Sequence, residues 1–176
     1  MTGYRRKTVT AVPKERFPHS VKIQVLISAE CEAFFPADVF FTDNVVHLRY
    51  STGNYKPLKS CETMNTVQAL DLVKTVIRLR TEAQDWLWFP EEYVLSADTV
   101  WINPQGKIRM LCIPDGRRIA GNQRLNGFLY DLKKLSEPAA SSWLQILQEI
   151  VLSGSEETEQ LIGEIDLLTA EVQSYL

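Results

Sequence analysis

Apolar and polar positions follow two different periods along this chain. In the first third the period is near two. Val21 to Ile27 alternates apolar and polar before becoming wholly apolar, which predicts a strand entering a core. Phe34-Phe35-Pro36 interrupts it, because a proline removes a ladder donor and favours a bend or strand edge. Val39-Phe40-Phe41 and Val45 to Tyr50 flank Asp43-Asn44, whose short polar side chains suit a turn, so a hairpin is predicted, closed by Ser51 to Asn54.

Near Cys61 the period changes to between three and four. From Thr66 to Trp88 the apolar positions Val67, Leu70, Val73, Ile77 and Ala69, Leu72, Val76, Leu79, Ala83 describe a long helix with a wide apolar face. Asn65 or Thr66 can cap it, and Pro90 follows its end. Thr99 to Ile102 and Lys107 to Ile113 read as strands around Asn103-Pro104-Gln105-Gly106, the residue order of a type I turn. Residues 115–123 read as a polar loop. Three helices are then predicted. A short one runs from Asn126 to Ser136. Another opens on Pro138 and stops at Gly154. The last is capped by Ser155, with Glu156 and Glu157 near its positive end and Leu161, Ile165, Leu168 and Val172 as its stripe. Strands, helix, hairpin and helices in that order predict an α+β fold: N-terminal antiparallel strands, a long central helix, a β-hairpin and C-terminal helices. Residues 1–20 are expected to be a basic flexible arm, and residues 21–176 a single α+β domain.

Length and composition agree. At 176 residues and 20.1 kDa, the chain can bury roughly 70% of its unfolded surface without disulfides or metal. Charge is unevenly spread. Residues 1–22 hold Arg5, Arg6, Lys7, Lys14, Arg16 and Lys22 against Glu15. Residues 137–176 hold eight acids and no Lys or Arg. The basic end reads as a solvated arm, and the acidic end argues against nucleic-acid binding. No signal peptide and no apolar stretch long enough to span a membrane stands in the sequence, so a cytoplasmic protein is expected. Cys31, Cys61 and Cys112 form no Cys-x-x-Cys pair and are expected as free thiols.

Catalytic constellations are not found. His19 and His47 are the two histidines, too few with three scattered cysteines for a zinc ligand set, so no metal and no cofactor is expected. His47 lies in a predicted strand and reads as structural. Neither the Gly-x-Ser-x-Gly elbow nor the Gly-rich phosphate loop occurs. Glu91-Glu92 reads as surface, since adjacent side chains rarely aim at one point. The dense Trp86-Leu87-Trp88-Phe89-Pro90 reads as a core seam between helix and sheet.

The span Trp86 to Asn103, followed by Lys107 to Gly116, resembles a bacterial domain of unknown function that commonly precedes a forkhead-associated, phosphothreonine-binding domain. Gln24-Val25-Leu26, Leu48 to Gly53 and Pro57-Leu58 sit where that family has its strand pair and turn, so the likeness covers about residues 21–170. No forkhead-associated region follows within residue 176, so the chain is either a fragment or a member acting alone. The same helix and hairpin distantly resemble the catalytic-loop region of protein kinases and of degenerate kinase-like domains in bacterial secretion machines. A kinase would need His-Arg-Asp near Phe89-Pro90-Glu91 and Asp-Phe-Gly near Met110-Leu111-Cys112, and neither stands there. A Gly-rich loop is also missing from residues 1–60. The resemblance implies a small, catalytically dead kinase-like fold.

The expected function is a non-catalytic signalling or scaffold module that binds a protein partner. The alternative is a degenerate nucleotide-binding domain, in which Arg117, Arg118 and Arg124 beside Pro114 to Asn122 are the candidate phosphate contacts. Their plainer role is to balance the acidic helices. An enzyme of unrecognised type has no support in any motif. The stripe from Leu161 to Val172 either receives a basic or helical target or packs on the protein's own core.

Overall fold

The computed structural model describes residues 6–17, 20–117, 119–154 and 157–175. Strand β3 (Val45–Gly53) sits at the centre of the first sheet because Val46, Leu48 and Tyr50 all point into the core. It pairs antiparallel with β2 (Ala37–Phe41) on one side and with β1 (Arg6–Pro13) on the other, in the order β1-β3-β2. The β2–β3 hairpin is the predicted one. Its turn closes through Thr42, whose N–H and Oγ1 both donate to Val45 O at 2.9 Å. Strand β1 lies within the stretch read from sequence as an arm, and it is in register with β3 from Lys7 to Pro13.

Helix α1 (Ser20–Ser28) corrects the strand expected over Val21 to Ile27. A short apolar run suits a helix as well as a strand. As a helix it sends Leu26 into the core, leaves Val21 and Ile27 exposed, and turns Lys22 toward Glu92.

Helix α2 (Thr66–Asp85) follows the predicted period, burying Ala69, Leu70, Val73, Val76 and Ile77. Its start is a capping box. Asn65 Oδ1 accepts from Gln68 N–H at 3.0 Å, and Gln68 Oε1 accepts from Asn65 N–H at 3.1 Å. Asn65→Ala is expected to cost about 1 kcal/mol, read as a lower urea midpoint with an unchanged m-value. The helix ends at Asp85 with Trp86 as its C-cap, and the next residue, Leu87, is a non-glycine residue with φ of 65°. That conformation lets Trp88 N–H donate to Ala83 O at 2.8 Å and turns the Trp88 ring inward.

The second sheet has the order β4 (Lys56–Pro57), β5 (Val100–Ile102), β6 (Ile108–Met110). The β5–β6 turn is the predicted Asn103 to Gly106. Asn103 Oδ1 accepts from the N–H groups of Gln105 and Lys107 at 3.0 and 2.8 Å, and Gly106 takes the left-handed φ of 80°. The two sheets are linked where Phe35 N–H donates to Met110 O at 3.0 Å and Met110 N–H donates to Ala33 O at 2.8 Å. Phe34 meets Trp88 and Tyr93 edge-on at 6.2 and 5.1 Å. Trp88 is therefore in the core seam as expected, while Leu87 and Phe89 beside it are exposed.

Helices α3 (Gly121–Lys134), α4 (Pro138–Ser153) and α5 (Thr158–Ser174) complete an α+β fold. Helix α3 begins earlier than predicted, taking in the end of the expected polar loop. Pro138 opens α4, as its fixed φ favours. Ile162, Ile165, Leu168 and Val172 of α5 are buried, with Leu161 partly so, and the helix packs on α2 and α4. That stripe belongs to the protein's own core. Ser155 and Glu156, expected to start α5, lie outside the described residues, as does His19. The three cysteines are free, Cys31 and Cys112 buried and Cys61 half-buried.

Candidate functional site

Two segments meet in an antiparallel bridge between Tyr93 and Pro114. Val94 N–H donates to Ile113 O at 2.9 Å, and Asp115 N–H donates to Glu92 O at 2.8 Å. This short ladder carries the Glu92 and Asp115 backbones to one place. The first turn of α3 brings Arg124 in beneath them.

Asp115 is almost fully buried, and three groups meet its carboxylate. Arg117 straddles both oxygens, with Nε at 3.0 Å from Oδ1 and Nη2 at 2.8 Å from Oδ2. The Arg117 N–H donates to Oδ1 at 3.1 Å, and Arg124 Nη1 donates to Oδ2 at 3.1 Å. Arg124 is also buried, and its Nη2 donates to the carbonyls of Glu91 and Arg117 at 2.8 and 3.1 Å. Arg117 by contrast keeps 66% of its side chain exposed. Its side chain is the main reason that the Asp115 carboxyl is held at about 2 rather than the ordinary 3.8, with Arg124 adding to the effect against the opposing cost of burial.

A pH dependence follows. A carboxyl whose folded value is lowered stabilises the fold above its ordinary value. That stabilisation is lost as pH falls from about 3.8 through about 2. The urea midpoint measured across this window is expected to fall, and Asp115→Asn is expected to flatten that part of the profile.

The other acids are engaged differently. Glu92 takes the Lys22 ammonium at 2.5 Å and accepts the Phe89 N–H at 2.9 Å. Lys22 also lies 5.4 Å from the Trp88 ring centre and 5.5 Å from that of Phe89. Glu91, Glu92, Asp115 and Arg117 line an open depression together with Ile119 to Gly121. Among the described residues, Lys22 pairs with Glu92, and Arg117 and Arg124 pair with Asp115, so these donors are already used within the protein. Of the sequence candidates, the structure brings Arg117 and Arg124 together on one carboxylate, and Arg118 lies outside the described residues.

Met110, Leu111 and Cys112 are buried in the core, and Tyr50 Oη donates to Cys112 O at 2.5 Å. Burial pushes the Cys112 thiol well above its ordinary range. Among the described residues, no cluster of three His, Cys, Asp or Glu side chains is arranged to hold a metal ion. Sequence reasoning gave Asp115 and Lys22 no role. The available signal was an acid followed by arginines two and nine residues later.

No known family model matches the chain, and no curated protein matches it. Solved structures do. One is reported as a divergent kinase lacking the glycine-rich loop that regulates membrane ultrastructure of the Toxoplasma parasitophorous vacuole. It has a TM-score of 0.59 at 12% identity, over 92% of this chain. The chain spans 66% of that kinase's length. Another is the Staphylococcus aureus ESSB cytoplasmic fragment, with a TM-score of 0.50 at 15% identity, over 96% of this chain and 99% of that one. At these identities the likeness to the divergent kinase and to the ESSB fragment is one of fold.

Proposed function

We propose that the chain is a non-catalytic kinase-like module that binds a protein partner in a bacterial signalling context associated with forkhead-associated domains. The observation that carries the non-catalytic part is the state of Asp115. It is the first acid after the β5–β6 hairpin in the chain, and both its oxygens are held by arginine side chains. A kinase acid must leave its oxygens free for Mg²⁺, and phosphoryl transfer depends on that ion for charge stabilisation. The buried side chains of Met110, Leu111 and Cys112, where the resemblance would put such an acid, support the same reading. The forkhead-associated context rests on the resemblance of residues 86–116, and partner binding rests on the same resemblance. The likeness to a cytoplasmic fragment of ESSB supports a cytoplasmic location. Among the described residues, no helix is long and apolar enough to cross a membrane.

The test pairs thermal unfolding in ATP and Mg²⁺ with a phosphate-transfer assay. No change in midpoint and no transfer are expected. A saturable rise in midpoint, with ADP acting likewise, would move the reading to the nucleotide-binding alternative, because a ligand at about 100 times its Kd adds about 2.7 kcal/mol. Affinity capture on the tagged chain, followed by rebinding of the purified captured protein to the purified chain, tests the partner. Failure to rebind would remove the scaffold role.

A further inference from the structure

We propose that the free edge of β1 is a self-complementary pairing site, at which a second copy of this chain adds its own β1 antiparallel and joins the two three-stranded sheets into one. The evidence begins with the strand itself. Strand β1 is eight residues long and pairs with β3 on one edge, and among the described residues no strand covers the other. Its centre, Thr8 to Val12, carries no charge and is rich in β-branched residues, and Val9 is 60% exposed. Long uncharged edges of this kind are templates for strand addition unless something blunts them.

The backbone directions can be assigned. Lys14 N–H donates to Asn44 O at 3.0 Å, so it points toward β3. By strand alternation Val12, Thr10 and Thr8 point the same way, and they are the partners of Val46, Leu48 and Tyr50. The N–H and C=O groups of Lys7, Val9 and Ala11 therefore face the open edge. An antiparallel pair centred on Val9 lets Val9 exchange both bonds with its own copy, while each Lys7 exchanges both with Ala11 of the other chain. All the edge N–H groups of that stretch are then satisfied.

The same register suits the side chains. Paired residues share a face, so Val9 meets Val9 on the outer surface and Thr8 meets Thr10 on the inner one. Each Lys7 lies opposite an alanine, so from Lys7 to Ala11 no like charges face each other across the new ladder. The contact uses one patch on both copies and closes under a two-fold axis, which limits the assembly to a dimer. The edge of β2 is a poorer site, because it is shorter and carries Asp38. The proposal does not depend on the kinase-like reading.

The test is the mass of the full chain by sedimentation equilibrium as concentration rises to ~100 μM, an affinity range ordinary for modest interfaces. A shift from 20.1 kDa toward twice that value is expected. Val9→Pro removes an outward N–H and leaves the β3 bonds intact, and Val9→Lys sets two ammonium groups face to face. Each is expected to weaken dimerisation by about tenfold or more. Circular dichroism checks that both variants fold. Amide exchange read by NMR gives a second measure. Lys7, Val9 and Ala11 should gain protection with concentration, whereas Thr8, Thr10 and Val12 should be protected throughout. A chain that stays monomeric over this range overturns the proposal, even if its β1 captures a strand from another protein. So does a dimer that both folded Val9 variants retain.

Discussion

Asp115→Ala is expected to lower the free energy of unfolding by about 3–5 kcal/mol, the usual cost of removing one partner from a buried ion pair. Arg124 is the reason. Its side chain is 5% exposed and that of Asp115 is 4%, so loss of the carboxylate leaves a guanidinium charge with only two carbonyl oxygens for company. Arg117→Ala should matter far less, because the Arg117 side chain is mostly in solvent. The double variant Asp115→Leu/Arg124→Met removes both charges and should recover much of the loss, since apolar replacement of a whole buried pair is often neutral. Urea denaturation of the variants decides the matter. A single variant no worse than the double one would show that the pair carries no such penalty.

Phe34→Ala is expected to cost a similar amount, about 3–5 kcal/mol, by a different mechanism. Phe34 holds its ring edge-on between Trp88 and Tyr93, and all three are buried. Truncation leaves a cavity at the point where the loop before β2 crosses the second sheet. Neighbours cannot collapse into it easily, because Phe35 and Met110 fix the backbone there through the hydrogen bond between them. Near-UV circular dichroism should lose the Trp88 signal before the far-UV signal changes. A loss below about 1 kcal/mol would mean that the aromatic cluster repacks freely.

The elements readable from sequence were those with strong local grammar. Asn65 and the apolar period fixed α2, Asn103 to Gly106 fixed the β5–β6 turn, and Pro138 opened α4. Strand β1 was hidden by its charge, because Arg6, Lys7 and Lys14 flank a short uncharged centre and long-range pairing to β3 leaves no local trace. Helix α1 was hidden for the converse reason, as the β-branched residues in Val21 to Ile27 mimic a strand. At the site, Arg117 and Arg124 drew notice as cations, but their partner did not. Asp115 stands only two and nine residues before them, whereas the Tyr93–Pro114 bridge that sets the Glu91 and Glu92 backbone beside the pair has no period in the sequence to encode it.

Leu87 carries a consequence for how this sequence can drift over generations. A leucine at φ of 65° stands where glycine is the comfortable choice, at an expense of about 1–2 kcal/mol. It is also half exposed, so its side chain contributes little in return. Descendants of the chain should therefore pass readily to Gly, Asn or Asp at this position and rarely to Val, Ile or Thr. Trp88 should change far less freely, because the same turn exists to aim that ring inward.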